Sequence, residues 1–225
     1  MMEKISLIIP CKNEVESLGA VLEEVKDNKF VDEIIVVVDG EQDNSIPITR
    51  KFNCKLIIQQ SKGYGSAIVE GFKNAKNNFG CIYNADHSFD PKYFDELIKL
   101  SKNNDFIFGS RYKGSGGSDD DDIVTFIGNK IFTFIGNLFF RLNISDILYT
   151  YIIGKTSSFK SLTLNYNDFR ICVEIPIRAK RRKMKYTTIP SYERSRIGGK
   201  KKVNAIKDGL LISFAMIKLF LLKKK

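Results

Sequence analysis

The chain has 225 residues, enough for one well-packed domain, and its 43% hydrophobic and 28% charged residues exclude a disordered or fibrous protein. A formal net charge of +10 asks for an anionic partner: nucleic acid, an anionic membrane surface or a phosphorylated small molecule. Cys11, Cys54, Cys81 and Cys172 share no metal-ligand spacing and read as buried thiols of a reducing compartment.

Ile5–Ile9 is a first strand, stopped by Pro10, and with a strand this near the start no secretory signal is expected. No apolar run reaches the roughly 18 residues of a spanning helix. Together these give the expectation of a cytoplasmic protein, peripheral on a membrane if it meets one. Asn13 is placed to cap the next helix with Glu16 as its capping-box partner, and Val15, Leu18, Val21, Leu22 and Val25 form its buried face. Glu33–Val38 is a continuous apolar strand ending at the Asp39-Gly40 turn. A short helix begins near Ser45, and Lys55–Ile58 is the third strand. The glycine-bearing loop Lys62-Gly63-Tyr64-Gly65-Ser66 leads into a helix from Ala67 to Asn77.

Phe79–Ile82 is a short buried strand that runs into Tyr83-Asn84-Ala85-Asp86, and Asp90-Pro91 opens the helix after it. Asp105–Gly109 is a fifth strand, so strands and helices alternate as in a doubly wound parallel sheet. Gly114–Asp122 is a loop joining two lobes, with an acid run, Asp119–Asp122, that reads as solvated. Ile123–Leu142 is an apolar helix with a thin polar stripe, Asn129, Thr133, Asn137 and Arg141, every four residues. Such a helix is either a core helix or lies against lipid, and the sequence favours the core. A helix around Cys172, Glu174 and Ile175 runs into the basic stretch Arg178–Lys185, then a strand Tyr186–Pro190, a basic loop and a final apolar helix, Gly209–Leu222.

Carboxylates at the C-terminal strand ends lie where open α/β sheets bind ligands. Asp39 is suited to accept hydrogen bonds from a nucleobase edge, and Asp86 to hold Mg²⁺ or Mn²⁺. Asp43 suits a turn and Asp90 a helix cap. His87 points away from its neighbour Asp86 by strand alternation. Arg111 and the loop Arg194–Lys202 are the candidate phosphate cations, while Arg178–Lys185 reads as a solvated helix end or a headgroup contact. There is no nucleophile elbow, Walker loop or zinc spacing, and no aromatic platform for nucleic acid.

In order along the chain, Ile8-Ile9-Pro10-Cys11-Lys12-Asn13-Glu14, Val38-Asp39-Gly40-Glu41-Gln42-Asp43, Lys62-Gly63-Tyr64-Gly65-Ser66-Ala67, Asn84-Ala85-Asp86, Gly109-Ser110-Arg111-Tyr112 and Arg196–Lys202 resemble the motifs of family-2 glycosyltransferases. The likeness is greatest to the dolichol-phosphate mannose synthase and polyprenyl-phosphate sugar transferase branch. It implies a GT-A fold, a Rossmann-like α/β domain over 1–225 with a mostly parallel sheet and C-terminal amphipathic helices. Residues 1–112 would form the nucleotide-sugar half and 113–225 the acceptor half.

By that resemblance Pro10, Asn13, Glu14, Asp39, Lys62 and Asn84 line the donor pocket, and Asp86 holds the metal with Ser88 nearby. Arg111, Arg196 and Lys202 take phosphate, and Asp146 matches the acid after the family's amphipathic helix. Val38 and Asn84 stand where the family has aspartates. The implied activity is inverting transfer of a hexose from a UDP- or GDP-sugar to a polyprenyl phosphate. The competing readings are a glycan hydroxyl acceptor and a silent sugar-nucleotide-binding protein.

Overall fold

A computed structural model describes residues 3–198 and 202–222. Its centre is a seven-stranded sheet of order β3-β2-β1-β4-β7-β5-β8. The strands are β1 Ile5–Cys11, β2 Val31–Val38, β3 Lys55–Ile58, β4 Phe79–Ile82, β5 Phe106–Ser110, β7 Ile152–Lys155 and β8 Tyr186–Pro190. Two short strands, β6 Gly117–Ser118 and β9 Tyr192–Glu193, pair separately. All partners in the large sheet are parallel except β7, which runs antiparallel between β4 and β5. Neither β7 nor its place in the sheet was expected from sequence. It and β8 come from the second half of the chain, so both expected halves share one sheet.

The alternation of β1 sorts the two faces. Ile5, Leu7 and Ile9 pack with Leu18, Val21, Leu22 and Val25 of α1 (Leu18–Val25) and with Leu97 and Ile98 of α4 (Phe94–Ser101). Ile8 faces the other way, against Ile68 and Phe72 of α3 (Tyr64–Asn74), Phe159 of α6 (Thr156–Ser161) and Ile171 and Ile175 of α7 (Ile171–Arg181). Each fully buried side chain of this size contributes about 1.5–3 kcal/mol, which fixes the register of both layers. The remaining helices are α2 (Ile46–Thr49), α5 (Ile123–Phe140) and α8 (Ala205–Leu221).

Several local expectations change. β1 continues through Pro10 to Cys11, because its pairing with β4 ends at Ile8 and a proline beyond that point breaks no ladder bond on that side. Asn13 does not cap α1: it has φ 51°, and Ser17 occupies the cap without a side-chain bond. Val15 lies before the helix and is 48% exposed. α3 starts three residues early, at Tyr64. Asp90 does cap the turn that opens at Pro91, accepting from the Lys92 N–H at 2.9 Å. The cysteines form no disulfide, and burial pushes the Cys11 thiol up to about 12 and the Cys54 thiol to about 11.

The largest reversal concerns α5. Its buried residues are Asn129 and Thr133 of the polar stripe and Gly136, with Asn137 half-buried and Arg141 exposed, while Ile127, Ile131, Phe134 and Leu138 face outward. Asn129 donates to Asp146, Thr133 accepts from the Ile147 N–H, and Asn137 exchanges two bonds with the Ile144 backbone. The stripe serves the loop that follows the helix, so the core reading fails. With 18 residues and a mean hydropathy of 1.5, α5 is also long and apolar enough to cross a membrane by length and composition, contrary to the count of apolar runs. Its polar groups are nevertheless committed to the domain.

Candidate active site

Three strand ends meet at one edge of the sheet. β1 and β2 run in register to Cys11 and Val38, which sets Lys12 beside Asp39, with Nζ 2.8 Å from Oδ2. Asp43 accepts from the N–H of Asn13 at 3.0 Å and from that of Ser45 at 2.8 Å, and the Glu14 N–H donates to Ser45 Oγ at 2.8 Å. These bonds hold Pro10, Asn13, Glu14 and Asp39 on one wall. Asp43 thus has the turn role expected of it. Lys62 is exposed on the loop before α3.

β4 delivers the opposite wall. The Ser88 N–H and hydroxyl both donate to Asp86 Oδ1, at 3.0 and 2.6 Å, and Asn84 Nδ2 donates to Ser88 Oγ at 3.3 Å. Tyr64 OH donates to Asn84 Oδ1 at 3.2 Å and shares a 2.7 Å hydrogen bond with Thr150 Oγ1. Ser88, expected as a metal ligand, spends its proton orienting Asp86. Asp86 Oδ2 and a second lone pair of Asn84 Oδ1 are free of these bonds. This oxygen set with one charge fits a hard divalent cation that takes its remaining ligands from diphosphate and water. His87 has φ 70° and sends Nε2 to within 3.5 Å of Glu24 Oε2, away from Asp86.

Tyr64 was missed from sequence, where only the flanking glycines stood out. Those glycines serve a packing need: a Cβ at Gly63 would stand 2.2 Å from the Asn167 carbonyl oxygen, and one at Gly65 2.3 Å from that of Tyr166. The Ser66 N–H donates to the same Asn167 oxygen at 3.1 Å. The glycine loop therefore docks residues 166–168 and aims Tyr64 at Asn84, just past β4.

The basic loop lies over the site. The Arg194 N–H donates to the Ser88 carbonyl and the Ile197 N–H to that of Asp86, at 2.9 and 3.0 Å. Arg196 forms two bonds to Asp120, at 2.6 and 3.1 Å, and its Nη2 lies 3.9 Å from Asp86 Oδ2. Lys202 is paired with Glu14. Gly199, Lys200 and Lys201, which belong to the expected loop motif, lie outside the described residues. The acid run is divided among separate tasks: Asp119 accepts from Tyr192 OH, Asp120 holds Arg196, Asp121 holds Arg111, and Asp122 caps α5. Among the described residues no three His, Cys, Asp or Glu side chains gather as a metal cluster.

Arg111 and Asp146 have a different setting from the one expected. Arg111 is 7% exposed and donates through Nε and Nη2 to Asp146 at 2.8 and 3.1 Å, and through Nη1 to Asp121 and Glu193, both at 3.1 Å. Its donors point at carboxylates, not at a phosphate. Asp146 is buried and also accepts from the Arg111 N–H and from Asn129 Nδ2. A carboxylate so engaged is a positioning group and cannot act as a base. Burial pushes the Glu193 carboxyl up, and the Arg111 charge opposes that shift.

Comparison with known proteins now bears on this geometry. The model of Glycosyl transferase family 2 matches residues 6–163. A dolichol-phosphate mannosyltransferase of Pyrococcus furiosus is 28% identical over 188 residues, 79% of this chain and 53% of that protein, so the chain spans about half its length. Glycosyltransferase AglJ of Haloferax volcanii is 22% identical over 216 residues, 93% of this chain and 70% of that protein. Among solved structures, glucosyl-3-phosphoglycerate synthase from Mycobacterium tuberculosis with phosphoglyceric acid aligns at a TM-score of 0.76 and 10% identity, over 99% of this chain and 82% of that one. Its complex with Mn²⁺, UDP and glucosyl-3-phosphoglycerate aligns at 0.75 and 11% over the same shares. That likeness is one of fold. The seven-stranded sheet, the wall of strand ends and the family match over most of the chain agree: the fold is GT-A, and the chain belongs to Glycosyl transferase family 2.

Proposed function

We propose that the chain transfers a hexose from a UDP- or GDP-sugar to a polyprenyl phosphate, with inversion, while lying on the cytoplasmic face of a membrane. The observation that carries this reading is the outward apolar face of α5, whose cap Asp122 lies two residues from the Asp120 that grips Arg196 over Asp86. α8 continues that face with Leu210, Phe214 and Ile217, and Phe139 packs edge-on to Phe220 between the two helices. An acceptor whose phosphate enters the cleft thus has an apolar surface beside it for its chain. Similarity to a dolichol-phosphate mannosyltransferase supports the same acceptor class.

Asp39 receives the N–H edge of the base, and the wall from Pro10 to Glu14 carries the ribose. Mg²⁺ or Mn²⁺, held by Asp86 and the Asn84 amide oxygen, would neutralise charge on the leaving diphosphate. Arg196 and Lys202, now paired with Asp120 and Glu14, exchange those carboxylates for the phosphates as the substrates enter. An acceptor phosphate oxygen attacks the anomeric carbon, the bond from that carbon to the diphosphate breaks, and the nucleoside diphosphate departs with the electron pair. A monophosphate with a second pKa of about 6 is already ionised, so no base is needed. That agrees with the commitment of Asp146 to Arg111, and it disfavours a hydroxyl acceptor, which needs one.

The test is transfer to a short polyprenyl phosphate from a panel of UDP- and GDP-sugars with Mn²⁺ or Mg²⁺, beside Asp86→Ala. Metal-dependent product lost in the variant supports the proposal. Nucleotide binding without product from any donor favours a silent binding protein, a reading motivated by the uncharged Asn84.

A further inference from the structure

The far end of α5 holds a feature that sugar transfer does not use. Where α5 and α7 end, a cleft of about 500 Å³ opens between Asn104, Leu142, Lys180, Lys183, Lys185 and Tyr186. Among the described residues no carboxylate lines it. The three lysine side chains are exposed, and among the described residues none of their ammonium groups has a protein partner. Asp105, next to the lining residue Asn104, is already engaged by Lys155 at 3.0 Å and by the Lys185 N–H at 2.9 Å. The walls are fixed rather than floppy: Tyr186 OH donates to the Leu142 carbonyl at 2.6 Å, and Lys183 holds a left-handed turn at φ 56°.

The cleft also adjoins the apolar helices. Arg181 reaches the Leu219 carbonyl of α8 and places its guanidinium 6.0 Å from the Phe140 ring of α5. Lys218 lies in the last turn of α8. The 18 residues of α5 span about 27 Å, with its cap Asp122, two residues from the Asp120 that holds Arg196, at one end and this basic cleft at the other. Phe134 on α5 and Phe214 on α8, 66% and 67% exposed, lie between.

We propose that the cleft of Lys180, Lys183 and Lys185 binds the phosphate of an anionic phospholipid in the bilayer on which the α5–α8 face rests. The proposal rests on the membrane part of the reading above and adds a lipid selectivity to it. Charge complementarity carries it: unpaired ammonium groups gather at the end of an apolar face, where bilayer headgroups begin. Docked at both ends, α5 lies flat, and the active-site cleft opens at headgroup level.

The experiment is co-sedimentation of the whole protein with vesicles of phosphatidylcholine alone and of phosphatidylcholine mixed with phosphatidylglycerol, at low salt. It compares the wild type with Lys180→Gln/Lys183→Gln/Lys185→Gln and with Phe134→Ser/Phe214→Ser. Each lysine near an anionic surface is expected to raise partitioning roughly fivefold, so the triple variant should bind the anionic vesicles about a hundredfold less while binding neutral vesicles as before. The phenylalanine variant should lose binding to both. A triple variant that keeps the anionic preference, or a wild type that has none, overturns the proposal and leaves membrane attachment standing. No sedimentation with either vesicle overturns both. Inorganic phosphate that displaces the protein from anionic vesicles as effectively as added phosphatidylglycerol vesicles do would mark a free-anion site and also overturn it. Transfer to a short soluble polyprenyl phosphate, unchanged in the triple variant, separates this result from failure of the proposed activity.

Discussion

Arg196 stands between two carboxylates, bound to Asp120 through two nitrogens and 3.9 Å from Asp86 Oδ2. The side chain, 76 residues from Asp120 in sequence, thereby links the acidic loop before α5 to the segment that follows β4. It is only partly buried, so its pair with Asp120 is worth at most about 1 kcal/mol. Asp120→Asn removes the competitor for the incoming diphosphate, and the donor KM should fall up to about fivefold with kcat little changed. Arg196→Ala should raise that KM. Initial-rate kinetics on both variants check the pair; an unchanged KM in Asp120→Asn would mean Arg196 never leaves the loop.

Asn84 supplies a neutral oxygen where a second charge would bind metal better. Asn84→Asp keeps the Tyr64 hydroxyl as its donor and adds a carboxylate next to Asp86. Mn²⁺ should bind roughly tenfold tighter, an increment of about 1.4 kcal/mol. Calorimetric titration with Mn²⁺ alone reads this without any assumption about the acceptor.

The buried cluster around Arg111 makes a stability prediction that separates structure from catalysis. Asp146→Ala takes away the acceptor of Arg111 Nε, Nη2 and N–H and of Asn129, leaving these buried donors unpaired, and should cost about 3–5 kcal/mol in urea unfolding. Asn129→Leu removes one donor to the same carboxylate and should cost about 1–3 kcal/mol. An Asp146→Asn protein of wild-type stability with transfer abolished would restore Asp146 as a base.

Asp168 carries the acid sensitivity of the segment packed on Gly63 and Gly65. The Arg170 side chain holds its carboxyl below the ordinary range, with burial opposing. A folded pKa below the unfolded one gives stability that is present above the unfolded value and lost as pH falls through the folded value. Arg170→Gln should therefore destabilise the protein near neutral pH, and the difference from wild type should shrink as pH falls below about 4 and vanish only once pH is below the depressed folded value. Urea midpoints at the two pH values read the sign directly.

The family motifs and the apolar strands β1, β2 and β4 were legible because runs such as Glu33–Val38 carry their burial in their own composition. Each leads to a residue of the site: Pro10 next to the end of β1, Asp39 directly after β2 and Asp86 four residues past β4. Periodicity also found the polar stripe of α5, but a stripe says only which residues share a face. Which face meets the domain was decided by partners at Asp146, Ile147 and Ile144, a loop that the pattern could not weigh. β7 was invisible for a related reason. Its four residues gain their burial from β4 and β5, which arrive from the other half of the chain. The same holds for Arg111, a phosphate ligand by motif, whose charge is met by Asp121, Asp146 and Glu193 from three separate segments. Sequence alone determined the family, the fold and the wall of strand ends, since these rest on local composition and order. Tertiary structure decided which cations remain free, because a charge is paired or unpaired only once distant carboxylates have been folded against it.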